Sequence, residues 1–150
     1  MQITPNFSLA ELTRTSRPYS NQPGEAEIAR LRTLCVRVLE PLRAHFGRPV
    51  LINSAYRSQK VNRAVGGSAT SQHLRGEAAD VEIPGISNLE VAQYIRDNLP
   101  FDQLILEAYR PGVPGSGWVH VSYREGRLRR SVLTMTLSGK GAVYSQGLKA

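Results

Sequence analysis

Three side chains have the types and spacing for metal chemistry. His73 and Asp80 stand seven residues apart in Ser71-Gln72-His73-Leu74-Arg75-Gly76-Glu77-Ala78-Ala79-Asp80, and His120 follows in Trp118-Val119-His120-Val121. Two imidazoles and one carboxylate make a donor set that suits Zn²⁺, and three protein ligands rather than four leave a coordination position for water. That open position separates a catalytic zinc from a structural one. The His-to-Asp spacing alone is a loose pattern, far weaker than HExxH or paired CxxC. A histidine beside aspartate-containing loops also reads as a hydrogen-bonded surface residue.

Strand alternation is what would bring the three together. In Ala79-Asp80-Val81-Glu82-Ile83 the apolar residues face a core and leave Asp80 on the other side. In Trp118-Val119-His120-Val121-Ser122 the two valines face the core and His120 points away. If these strands pair, Asp80 and His120 share a sheet face that His73 can reach from the preceding loop. Gly76, Ala78 and Ala79 would let that loop turn closely around a metal.

The elements that must hold these residues follow from the rest of the chain. Asn6 to Leu12 reads as a short helix with a Ser8/Glu11 capping box, and Pro18 to Gly24 as a loop. From Glu25 to Phe46, Ile28, Leu31, Cys35, Val38, Leu39, Leu42 and Phe46 recur at helical spacing. Pro41 should kink or split this helix near Leu39, and Gly47 ends it; His45 belongs to its surface. Pro49 to Arg57 begins as a strand that delivers Arg57 to its C-terminal end. Ser58 caps a helix to about Val65, and Ser87 with Glu90 caps another that stops before Pro100. Strands follow over Asp102 to Glu107 and Trp118 to about Tyr123, separated by a Pro- and Gly-rich loop from Pro111 to Gly117. Beyond them lie Arg124, Arg127, Arg129 and Arg130, read as a solvated face, then an edge strand over Val132 to Leu137 and a loosely ordered stretch to Ala150.

The composition is that of a globular protein, 41% apolar and 21% charged, and 150 residues fit one domain, residues 1–150, with a core of its own. No run of about 18 apolar residues suggests a membrane span, and Met1 to Asn6 carries no signal-peptide pattern. Cys35 is the only cysteine. It rules out an internal disulfide and reads as a buried thiol. Nineteen Lys and Arg against twelve Asp and Glu give a net charge of +7. Such a surface favours anionic partners, here an anionic cell-wall polymer or lipopolysaccharide. Interleaved aromatics and zinc-finger or basic-zipper patterns are missing, so nucleic acid is not expected as a partner.

Ser71-x-His73-x-x-Gly76-x-Ala78-x-Asp80 resembles the SxHxxGxAxD signature of the D-alanyl-D-alanine zinc peptidase family, and Trp118-Val119-His120 resembles its later ligand segment. The similarity runs from Phe7-Ser8-Leu9-Ala10-Glu11 through Ser54-Ala55-Tyr56-Arg57-Ser58 to Val121-Ser122-Tyr123, and is nearest to the compact peptidase domain common in phage and prophage genomes. The resemblance implies an α+β fold, with a small antiparallel sheet carrying zinc and flanked by helices. It also implies His73, Asp80 and His120 as the zinc ligands and cleavage of peptidoglycan stem peptides, by carboxypeptidases or by phage endolysins.

Peptide hydrolysis also needs a carboxylate to move a proton from water to the leaving amine. Many members of the family place that glutamate three residues before the second histidine, where this sequence has Gly117. The candidates are Glu77, Glu82 and Glu107. Glu107 ends a strand opposite its core face, and the segment also resembles the related zinc fold of hedgehog domains, in which a glutamate at this strand end faces the metal. Glu107 is therefore taken as general base. Glu82 shares the strand face of Asp80 but lies about 6.6 Å along it. Arg57 resembles the family arginine that binds a substrate carboxylate or polarises the scissile carbonyl, a role suited to a guanidinium. Ser71 is a substrate neighbour or a capping hydroxyl, and Trp118 lines the cleft or packs half-buried.

The expectation is a monomeric, zinc-dependent peptidase of peptidoglycan stem peptides, made in the cytoplasm without a signal peptide and acting at the wall after release, as a phage or prophage endolysin does. The alternatives are a D-alanyl-D-alanine carboxypeptidase and a non-catalytic, zinc-containing wall-binding module.

Overall fold

A short hairpin, β1 (Gln2–Thr4) and β2 (Phe7–Ser8), opens the chain and leads into the single-turn helix α1 (Leu9–Leu12). The computed structural model describes residues 1–149; Ala150 lies outside them. Ser8 Oγ accepts from the Glu11 N–H, and the Glu11 carboxylate accepts from the Ser8 N–H, which completes the expected capping box.

The long amphipathic pattern forms one continuous helical rod in three parts: α2 (Glu25–Leu34), a π-helical stretch (Cys35–Leu39) and α3 (Glu40–Phe46). The expected interruption near Leu39 is present as this π-helical stretch, which ends two residues before Pro41, and the helix runs on beyond it. Proline lacks an N–H and its ring collides with the carbonyl four residues back. The wider π turn, in which Glu40 N–H bonds to Cys35 O, absorbs that conflict just upstream. Gly47, at φ 64°, ends the helix in the left-handed conformation. Cys35 is fully buried, and burial pushes its thiol up to about 12, so it stays a neutral core group.

The remaining elements are β3 (Leu51–Ser54), α4 (Gln59–Ala64), a 3₁₀ turn (Gln72–Arg75), β4 (Ala78–Glu82), α5 (Asn88–Asn98), β5 (Gln103–Glu107), β6 (Trp118–Ser122), β7 (Ser131–Ser138) and β8 (Gly141–Gln146). Ser58 and Ser87 cap α4 and α5 as expected. Six strands form one sheet in the order β3-β4-β6-β5-β7-β8. The α+β architecture is the expected one, and every neighbouring pair in this sheet is antiparallel except β5 and β7.

Two expectations for the tail are corrected. β7 is not an edge: it pairs with β5 on one side and β8 on the other. The glycine-rich stretch after it is not loose either, because Ser138 pairs with Gly141 across a two-residue turn and β8 returns along β7. Glycines there make a tight hairpin turn, Gly141 at φ 108°.

One sheet face carries the core. Ala79, Val81, Leu104, Leu106, Val119 and Val121 are fully buried, in one cluster with Leu31, Leu39 and Leu42 of the helical rod and with Val91 and Ile95 of α5. The opposite face of the central strands carries the polar residues.

Candidate metal centre and catalytic cleft

The register of β4 and β6 sets Asp80 directly opposite His120. Both strands alternate as the sequence predicts, so the two side chains rise from the same face. His73 comes from the 3₁₀ turn between α4 and β4. That turn is capped at its start by Ser71 Oγ, which accepts from the His73 N–H, and closed by Gly76 at φ 77°. Gly76 serves packing rather than a metal: a Cβ there would sit 2.6 Å from the Glu27 carbonyl oxygen of α2. Ala78 and Ala79 likewise belong to the β4 ladder and the buried interior, not to a loop around the site.

Donor atoms of His73, Asp80 and His120 all lie within 4.8 Å of one another. Asp80 Oδ1 is 3.0 Å from His120 Nδ1 and 3.4 Å from His73 Nε2. The other ring nitrogen of His73, Nδ1, is 2.7 Å from the Ala55 carbonyl oxygen. A carbonyl can only accept, so Nδ1 carries the hydrogen and the Nε2 lone pair of the neutral ring points at Asp80. Two imidazole nitrogens and one carboxylate oxygen converge, with one imidazole oriented through its far nitrogen. This donor set fits zinc.

Electrostatics polarise the trio. Burial lowers the basicity of His73 more than the adjacent Asp80 raises it. For His120 burial acts the same way, but its hydrogen bond to Asp80 and the charges of Asp80 and Glu107 prevail and raise it. Burial resists the charge on Asp80, yet the two histidines hold the carboxyl well below the usual range.

Arg57 follows β3 and holds Asp80 from the other side, donating through Nη2 to Oδ2 at 3.1 Å. Its Nε donates to Ser54 Oγ and its Nη1 to Asn62 Oδ1. The guanidinium is thus fixed in orientation and keeps two of its five N–H groups for other partners.

A second cross-strand row lies beside the trio on the same face. Trp118 pairs with Glu107, Glu107 with Met135, and Met135 with Tyr144, across β6, β5, β7 and β8. The Trp118 indole N–H donates to Glu107 Oε2 at 2.8 Å. Burial pushes the Glu107 carboxyl above its ordinary value; His120 and the Trp118 bond oppose that shift, and the charge of Asp80 adds to it. Gly117 explains why no glutamate stands three residues before His120: at φ 70°, a Cβ there would lie 2.1 Å from the Glu107 carbonyl oxygen. The backbone occupies the space a side chain would need.

These residues line one cavity of about 750 Å³, with Arg57, Ser71, His73, Asp80, Glu107, Trp118 and His120 in its wall. Glu77 also reaches it, but is buried and held by Arg75 and Gln72. Glu82 does not line the cavity; its two oxygens accept from Asn53 and Asn88. His45 stacks on Tyr94 at a centroid distance of 3.7 Å, far from this wall in sequence and outside its lining.

Sequence reasoning missed the contributions of Met135 and Tyr144, and the tying role of Asp102. This fully buried carboxylate accepts from the Arg129 backbone and guanidinium, from Arg127 and from Gln72. The pairing of β5 with β7, a parallel contact invisible in local periodicity, brings Met135 and, through β8, Tyr144 to the cleft.

The sequence pattern of the Peptidase M15 family matches residues 5–122, a span that holds the whole trio, Arg57 and Glu107. A zinc D-Ala-D-Ala carboxypeptidase of Streptomyces albus G is 33% identical over 125 residues, which cover 81% of this chain and 47% of that protein. The chain therefore spans about half the length of that curated relative. No helix among the described residues is long and apolar enough to cross a membrane. With the family pattern spanning most of the chain, and the signature residues meeting at one end of a shared cleft, this chain belongs to the Peptidase M15 family, the D-alanyl-D-alanine zinc peptidases.

Proposed function

We propose that the chain is a zinc metallopeptidase that hydrolyses an amide bond in peptidoglycan stem peptides, with His73, Asp80 and His120 as the metal ligands. The observation that carries this reading is the convergence of three donor atoms within 4.8 Å in the wall of a cavity that also holds Glu107 and Arg57. Zinc bound there supplies Lewis acidity for the scissile carbonyl and lowers the pKa of a water.

The protein's own groups do the rest. Glu107 takes a proton from the attacking water and returns it to the leaving amine. Its Oε2 is occupied by the Trp118 N–H, which leaves Oε1 for transfer. The raised affinity of Glu107 for a proton brings it nearer the working pH of a general base. Arg57 steadies Asp80 and offers its remaining N–H groups to negative charge on the substrate. Ala55, through its carbonyl, keeps His73 in the ligating tautomer. Ser71 holds the His73 backbone, and Trp118 forms part of the cleft wall.

Incubation of the zinc-loaded protein with purified sacculi should release new amino groups. Mass spectra of the muropeptides then divide the two peptidase roles: loss of one terminal alanine marks a carboxypeptidase, and a longer fragment marks an endopeptidase of the endolysin kind. Sacculi retained on the protein without any new amine would instead favour a wall-binding module and sink the enzymatic reading.

A further inference from the structure

The family match ends at Ser122, yet five residues lining the cavity lie beyond it: Arg124, Arg127, Arg129, Met135 and Tyr144. Three of them are arginines, and they are not equivalent. Arg129 donates through Nε and Nη2 to the buried Asp102 at 2.9 and 3.0 Å, and Arg127 donates to the same carboxylate at 3.2 Å. On the neighbouring wall, Arg75 is bound to Glu77 at 3.2 Å. Arg124 has no side-chain hydrogen bond or ion pair among the described residues, although it is half-buried at the junction of the main cavity and a smaller one.

Its place follows from the strand that precedes it. Tyr123 extends the β4–β6 ladder by bonding its N–H to the Glu77 carbonyl, and its side chain joins the core. Alternation puts Trp118, His120 and Ser122 on the site face, and Arg124, two residues past the end of β6, lines the same cavity. Four residues beyond His120 correspond to about 13 Å along the strand. Arg75, Arg124, Arg127 and Arg129 line this part of the cavity, and Glu77 and Asp102 pair with three of them, four guanidinium groups against two carboxylates. Exposed Glu125 lines the smaller cavity and not this one. A guanidinium in such a place, positive overall and partly shielded from water, has the geometry to hold a carboxylate.

We infer that Arg124 forms an anion-binding subsite that holds a second carboxylate of the peptide substrate, about two to four residues from the scissile bond. Arg124 thereby selects acidic peptides over neutral ones. The inference rests on the peptidase reading above, and names the substrate feature that the same cleft prefers. Arg127 and Arg129, locked on Asp102, are positioning residues that shape the wall around it.

The test uses peptidoglycan stem peptides with free carboxylates, and the same peptides with each carboxylate in turn converted to the carboxamide. For the wild-type protein, kcat/KM should fall about tenfold for one particular amide. For Arg124→Gln that acid-to-amide ratio should shrink to near one. Arg124→Lys should restore part of the ratio. An unchanged ratio in Arg124→Gln, with both peptides still cut, overturns the subsite and leaves the peptidase reading intact. Should neither protein cut any peptide, the peptidase reading fails. Calorimetric binding of the acid and amide peptides to both proteins then decides the subsite by the same ratio, taken in Kd. Arg124 is half-exposed, so both variants should melt as the wild type does.

Discussion

At the scale of single residues, the proposed division of labour in the cleft turns on Glu107. Asp80 and His120 were legible because alternation fixes which way strand residues point, whereas His73, in a turn, was joined to them by the resemblance to the family signature. Glu107 was harder to read because the position nearest the second histidine is a glycine. The reason for Gly117 is three-dimensional: the backbone there is left-handed and lies against Glu107 to Tyr109, so nothing larger fits. Trp118 N–H then fixes Glu107 beside the trio. Replacing Glu107 by Gln keeps the shape and the bond from Trp118 and removes the proton acceptor. We expect kcat to fall by about 10²- to 10⁴-fold with zinc content unchanged. Loss of zinc together with activity would make Glu107 a ligand rather than a base.

At the scale of elements, the helices were the most legible, since three of them carry their own start signal. Ser8, Ser58 and Ser87 cap as their spacing predicts. The tail was not legible. β7 and β8 have too few alternating apolar residues to show which side is covered, and the partner of β7 is a parallel strand whose paired residues, such as Ile105 and Leu133, are 28 apart. What ties that tail down is Asp102, which collects Arg127 and Arg129 at the entrance to β7. Burial resists its charge, but the bonds from Arg129 and the charges of both arginines hold its carboxyl well below the usual range. A carboxyl depressed in the fold adds stability above its unfolded value of about 3.9 and loses it as pH falls through the folded value. Both arginines are roughly half-exposed, which discounts the ion pairs. Asp102→Asn should therefore cost about 2 kcal/mol at neutral pH. In thermal melts the gap from wild type should narrow steadily below about pH 4; a gap that does not change with pH would mean the cost is one of packing alone.

At the scale of the whole molecule, the proposed metal trio draws on parts of the chain that only folding brings together. His73 sits in a turn between α4 and β4, Asp80 in β4 and His120 in β6, forty residues after Asp80. The unfolded chain offers no comparable set, so a metal held by this trio binds the folded form and stabilises it. At a zinc concentration one hundred times Kd, stability should rise by about 2.7 kcal/mol. The melting temperature should rise with it, and His73→Ala should abolish the shift. The same zinc-dependent rise in that variant would place the metal elsewhere.

The facing of Asp80 and His120 in the β4–β6 ladder also bears on how the sheet assembles. Side chains alternate with a period of two, so a slip of β6 by one residue would turn His120 into the core and carry Val119 or Val121 out to the cleft. A mispaired chain would lose its apolar packing and its metal donors in the same movement. Zinc would then act as a proofreader of strand pairing, rewarding only the chains whose central strands have met in the right register.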